Sequence, residues 1–116
     1  MKPPRQTEAE LQKMVVVYLR AQHPKLLFWH TPNTINANAA WHAKQKAMGK
    51  LAGVPDIAMV LPGGRAAFIE LKIKGGRLSE DQKDFCRRCV MSDANWECCY
   101  SLDGVRETVS RWLEEA

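Results

Sequence analysis

The sequence predicts an α/β fold with the element order αβββαβα. Three observations carry this reading. Two apolar runs, Ile57 to Leu61 and Ala66 to Ile73, flank Pro62-Gly63-Gly64 and read as a β-hairpin. Leu11, Met14, Val15, Tyr18 and Leu19 recur at helical spacing and form one apolar stripe near the N-terminus. Ser79-Glu80-Asp81-Gln82 has the S/T-x-x-E/Q pattern of a helix start.

Residues 1–6 read as a loose tail, and Thr7 to about Ala21 as the first helix. Thr7-Glu8-Ala9-Glu10 fits a capping box, in which the fourth residue reaches back to the N-cap backbone. Leu26 to Thr31 reads as a strand. Residues 32–50 form a long polar segment whose Ala-rich middle is expected to be partly helical. The hairpin spans Val54 to Ile73. Lys74-Gly75-Gly76-Arg77 then forms a basic, flexible loop. Ser79 to about Ser92 is a second helix, Trp96 to Ser101 a fourth strand, and Asp103 to Glu115 a final helix. No internal repeat or low-complexity stretch interrupts the order.

A chain of 116 residues suits one domain, spanning 1–116, with a modest core. No apolar run approaches the ~20 residues needed to cross a membrane. The basic start, Met1-Lys2-Pro3-Pro4-Arg5, leads into a charged helix and not into a signal-peptide core. The expectation is a soluble protein of the cytoplasm. The net charge of +4 permits an anionic partner without specifying one. Cys86 and Cys89 have zinc-like spacing, but they fall on the apolar face of a predicted helix. Cys98 and Cys99 are adjacent on a strand and point to opposite faces. All four read as small apolar residues in a reducing compartment. Trp96 and Trp112 read as core.

The hairpin carries the chemistry. If it folds symmetrically about Gly63, Asp56 falls opposite Glu70, and opposed residues on one sheet face have Cβ atoms roughly 4.5–5.5 Å apart. Lys72 shares the face of Glu70, because strand side chains alternate. A one-residue bulge in the loop would slip this register. Two carboxylates so close, among Ile, Val, Ala, Met and Phe, repel each other and resist burial. A divalent cation such as Mg²⁺, which takes oxygen ligands, would compensate them. A lone E-x-K on a strand reads as a structural ion pair. The matching P-D across the hairpin tips the reading toward a cation site.

Gly53-Val54-Pro55-Asp56 followed by Glu70-Leu71-Lys72 resembles the PD-(D/E)xK nuclease superfamily. The longer string from Lys46 to Asp56, with Leu78-Ser79-Glu80-Asp81-Gln82 later, is similar to its VRR-NUC branch, and the likeness runs from about Thr7 to about Tyr100. That branch includes small stand-alone phage and bacterial proteins. The resemblance implies a restriction-endonuclease-like core, a small mixed β-sheet flanked by helices. It implies a metal-dependent, structure-selective DNA endonuclease. Asp56, Glu70, the carbonyl of Leu71 and Glu8 would hold one or two Mg²⁺ ions, with Mn²⁺ as a substitute. Lys72 would position or deprotonate a water. Stand-alone members resemble Holliday-junction resolvases and act as homodimers, which points to branched DNA as the partner, in a bacterial or phage-infected cell.

The remaining candidates sort by position. Capping gives Glu10 a structural task and leaves Glu8 free near the core-facing edge of the first helix, so Glu8 is the choice for the family's first-helix glutamate. Gln82 closes the second capping box, and the resemblance also sets it near the site. Gln12 fits the family's first-helix pattern as a weaker candidate. Lys44, Lys46 and Lys50 precede the P-D strand, and Lys74 and Arg77 follow E-x-K, so both groups flank the site as phosphate contacts should. Arg87 and Arg88 would extend that surface. His30 and His42 read as structural, although His30, with Asn33 nearby, is placed to line a cleft. Trp41 in the polar segment is a candidate for stacking. Two rival readings stand beside the nuclease. One is a module that binds branched DNA without cutting it, against which the intact D…E-x-K argues. The other is an accessory subunit of a larger repair or packaging complex.

Overall fold

The computed structural model describes residues 5–32 and 36–116; most of the expected tail, and Asn33, lie outside the described residues. The chain runs α1 (Glu8–Gln22), β1 (Leu27–His30), α2 (Ala39–Ala47), β2 (Ile57–Val60), β3 (Ala66–Leu71), α3 (Glu80–Met91), β4 (Asn95–Cys99) and α4 (Leu102–Glu115). The order differs from αβββαβα by one element, α2. The Asn38 side chain caps this helix by accepting the Trp41 N–H at 2.8 Å. Gly49, at φ +104, stands just past its C-cap residue Met48. No residue of α2 is buried, so the apolar periodicity that signals a packed helix is missing from its sequence.

The four strands lie in the order β1-β2-β3-β4. β1 with β2 and β2 with β3 are antiparallel, and β3 with β4 is parallel, so the sheet is mixed. The hairpin has the expected symmetric register, with Ile57 opposite Ile69 and Val60 opposite Ala66. The Leu61 N–H donates to the Arg65 carbonyl at 2.9 Å and the Gly64 N–H to the Leu61 carbonyl at 2.9 Å, which closes the turn without a slip. The parallel step from β3 to β4 needs a crossover, and α3 supplies it.

One sheet face presents Ile57, Met59, Leu61, Ala67, Ile69 and Leu71 to α1 and α4. With Leu11, Val15 and Leu19 of α1, and Val105, Val109 and Trp112 of α4, they form one buried cluster. The opposite face carries Phe68, whose ring meets Phe85 of α3 edge-on at 5.0 Å between centroids. Trp96 departs from the expected core position. It is half-buried, and its buried indole N–H has no partner among the described residues. Cys89 and Cys99 are buried, Cys86 and Cys98 half-buried, and all four are free thiols. Among the described residues no helix is long and apolar enough to cross a membrane.

Candidate active site

Asp56 ends the loop that enters β2 and is held at three points. Its carbonyl accepts the Thr31 N–H and the His30 Nδ1–H, each at 3.0 Å. Its Oδ2 accepts the Leu71 N–H at 2.8 Å. The ends of β1 and β3 therefore fix both its backbone and one of its carboxylate oxygens. Pro55, just before it, is fully buried.

Glu70 lies one residue earlier on β3, on the α3 face, and is only 4% exposed. Gln82 Nε2 donates to its Oε1 at 3.2 Å. The same Gln82 uses its Oε1 to accept the Ser79 N–H at 2.8 Å, while Ser79 Oγ accepts the Gln82 N–H at 3.1 Å. One side chain thus closes the capping box of α3 and reaches the buried carboxyl. The two readings of Gln82 are compatible because its amide oxygen and nitrogen serve different partners.

Burial pushes the Glu70 carboxyl up to about 8 from an ordinary 4.5; the neighbouring Asp56 carboxyl adds to the rise, Lys72 opposes it, and Glu8 adds a little. The pair is therefore short of positive charge even with Lys72 beside it. Lys72 follows β3, its N–H donating to the Cys99 carbonyl at 3.0 Å.

Glu8, the free acid of the first turn, borders a cleft of about 250 Å³ with Gln12, His30, Asp56 and Leu71. Glu10 is engaged at the cap: its N–H donates to Thr7 Oγ1 and its carboxylate accepts the Thr7 hydroxyl, both at 3.1 Å. The expected reach to the Thr7 backbone is replaced by this hydroxyl contact. His30 lines the cleft, with its ring set by the bond to the Asp56 carbonyl. Gln12, the weaker candidate of the first helix, also borders this cleft. Its Nε2 is buried without a partner among the described residues, at a position where helical periodicity alone shows only the edge of the apolar stripe.

Gly53 explains the tight approach of these parts. At φ +81, a Cβ there would fall on the Asp81 carbonyl and come within 2.8 Å of the Gln82 N–H nitrogen. Only glycine lets the loop before Asp56 lie against the first turn of α3, which carries Gln82.

The basic residues are exposed. Lys44 and Lys46 lie on α2, and the Lys50 ammonium sits 5.1 Å from the centre of the Trp41 ring, whose edge-on neighbour is His42. Trp41 is thus covered by the chain's own cation instead of presenting a bare face. Lys74 and Arg77 follow the E-x-K strand, and none of these five cations forms a salt bridge among the described residues. Arg87 and Arg88 instead pair with Asp84, at 3.6 and 3.1 Å.

Among the described residues no three His, Cys, Asp or Glu side chains converge closely enough to enclose an ion. The donor set is the facing pair Asp56 and Glu70, with Glu8 near enough for its charge to reach Glu70. Two hard oxygen donors that need positive charge fit Mg²⁺ or Mn²⁺, which accept a few carboxylates and fill the remaining positions with water or phosphate oxygens.

A family model described as VRR-NUC domain matches residues 5–103. A solved structure described as a VRR_NUC domain protein superposes with a TM-score of 0.78, covering 97% of this chain and 93% of that one, at 22% sequence identity. At that identity the likeness speaks for the fold. No curated protein matches the chain significantly.

Proposed function

We propose that this chain, which belongs to the VRR-NUC domain family of nuclease domains, is a metal-dependent DNA endonuclease that selects its substrate by structure. The observation that carries the reading is the buried, proton-seeking Glu70 facing Asp56 at the end of the hairpin, with Lys72 next along the same face. Asp56, Glu70, the Leu71 carbonyl and Glu8 would hold Mg²⁺, with Mn²⁺ as a substitute. A bound ion supplies Lewis acidity to the phosphoryl group and makes water a better nucleophile near neutral pH.

The protein's own groups do the rest. Gln82 holds the Glu70 carboxyl in place from α3. The Leu71 N–H holds the Asp56 carboxylate from the backbone. Lys72 orients the attacking water; as an ammonium it offsets the charge that builds on the phosphoryl oxygens, and only as a neutral amine would it take the water's proton. Lys44, Lys46, Lys50, Lys74 and Arg77 contact phosphates on both sides of the cleavage point, which positions DNA without reading its bases. No described element has the character of a recognition helix for the major groove, which favours shape over sequence. The reading extends to branched substrates, four-way junctions included, and to a homodimer whose two-fold axis suits paired cuts.

The test incubates the purified chain with labelled four-way junctions, flaps, duplex and single strands, with Mg²⁺ or Mn²⁺, beside Lys72→Ala. Cleavage that needs the metal and falls about 100-fold or more in Lys72→Ala, with the fold intact by circular dichroism, supports the reading. Light scattering across the working concentrations tests the dimer. Binding without cutting on every substrate would leave a branched-DNA binding module or a partner-dependent subunit.

A further inference from the structure

Beside the candidate site lies a second groove, of about 530 Å³, lined by Arg5, Gln6, Ile73, Lys74, Gly75 and Tyr100. Its two walls are the segments that carry the site. One leads into α1 and Glu8; the other leaves β3 through Lys72. The groove is therefore joined to the candidate site through both of these chain segments.

The lining is chemically specific. It holds two cations and no acid, and neither cation forms a salt bridge among the described residues. Tyr100 is 49% exposed. Its hydroxyl donates to the Gly76 carbonyl at 3.5 Å, which lays the ring along the turn instead of leaving it free in water. Gly75 opposes no bulk to a flat ligand, since a Cβ there would meet nothing within 4 Å.

We propose that this groove holds single-stranded DNA running out of the candidate site, with a phosphate on Arg5 and Lys74 and an unpaired base stacked on Tyr100. The proposal rests on the nuclease reading and deepens it by naming the substrate class. Paired cations without acids select an anion of the phosphate kind. A tethered, half-exposed phenol ring selects a π-face, and a base offers one only where it is not already stacked and paired in a duplex. The substrate it favours is DNA with a single-stranded extension or an opened junction arm.

Fluorescence anisotropy of the full chain, in EDTA and then with Ca²⁺ in place of Mg²⁺, tests this with a duplex carrying a single-stranded extension and with the blunt duplex. Tyr100→Ala should weaken binding of the extended DNA about 5- to 150-fold, the range for loss of one base–aromatic stack, and leave the blunt duplex unchanged. Tyr100→Phe keeps the ring but loses the hydroxyl tether, and should retain most of the binding that Tyr100→Ala loses. Arg5→Gln precedes α1, leaves folding untouched, and should lower the salt slope by about 1. If Tyr100→Ala and Arg5→Gln bind extended DNA as tightly and with the same salt slope as the wild type, the groove has no such role, even while the wild type still cuts DNA. A wild type that cuts nothing overturns the nuclease reading separately, whatever the anisotropy shows.

Discussion

Glu70→Gln should stabilise the metal-free chain at alkaline pH. In the folded chain Glu70 holds its proton up to about 8, against an ordinary 4.5. Between those values the native state binds more protons than the unfolded one, so its stability falls as pH rises. The contribution is fully present below pH 4.5 and gone above about 8. The whole interval is worth roughly 5 kcal/mol at 1.36 kcal/mol per pKa unit. Asp56 shares the load, and the effective dielectric even at buried sites is well above that of dry protein, so about half of that, ~2–3 kcal/mol, is the expected gain of the variant at pH 9. For a domain of this size that is an increase in Tm of about 10 °C. Glutamine keeps an oxygen for the Gln82 amide, so the change removes charge and preserves shape.

The assay is thermal unfolding by circular dichroism in EDTA at pH 5, 7 and 9, wild type beside Glu70→Gln. The two should melt together at pH 5 and separate progressively at higher pH. Added Mg²⁺ at pH 9 should then raise the wild-type midpoint and leave that of the variant unmoved, because the ion neutralises a charge the variant lacks. A difference that stays constant from pH 5 to 9, or a wild type that is the more stable partner at pH 9 in EDTA, would refute the account of the Asp56–Glu70 pair.

Gly53→Ala should cost about 2–4 kcal/mol, since it combines a positive φ with a backbone collision; an unfolding free energy from chemical denaturation within about 0.5 kcal/mol of wild type would show that the loop has another way to pass α3. Gln82→Ala should lose about 1 kcal/mol from the broken cap and, beyond that, lower metal-dependent cleavage, whereas Ser79→Ala should lose a similar amount of stability with less effect on cleavage; equal cleavage in the two variants would confine Gln82 to the cap. Leu11→Ala, at the centre of the buried cluster, should cost about 2–5 kcal/mol, measured by denaturant titration, and a loss under 1 kcal/mol would contradict the packing of α1 on β3.

The hairpin was legible because its signals agree: turn residues of the right kind at the centre and apolar runs of similar length on each side. That agreement places Asp56 opposite Glu70 from the sequence alone. Capping chemistry was legible for the same local reason, and it separated Glu8 from Glu10. α2 was legible only as an Ala-rich stretch, because a helix that buries nothing leaves no periodic trace. The unpartnered buried nitrogens of Gln12 and Trp96 were not legible, for a different reason. Periodicity reports which way a residue points, and it cannot say whether a polar atom pointing inward will find a partner. The pairing of Arg87 and Arg88 with Asp84 is an i+3 and i+4 contact readable on a helical wheel, and it weakens their case as phosphate contacts.

The positions of Asp56 and Gln82 depend on main-chain geometry more than on other side chains. Asp56 is held by the N–H of Leu71, the N–H of Thr31 and a ring bond to its own carbonyl. Gln82 is placed by the cap of α3, and α3 is placed against the Asp56 loop by the absence of a Cβ on Gly53. Main-chain hydrogen bonds and a steric exclusion do not rearrange when one carboxyl titrates or binds an ion. The pair is therefore held facing even where its charges repel, at a cost met by α1 and α4 packing against the other side of β2 and β3. Such a scaffold separates two kinds of damage. Substitution at Glu70 or Lys72 should change charge and chemistry within a fold that persists, whereas substitution at Gly53 should move the Asp56 loop away from Gln82 and disturb fold and site together.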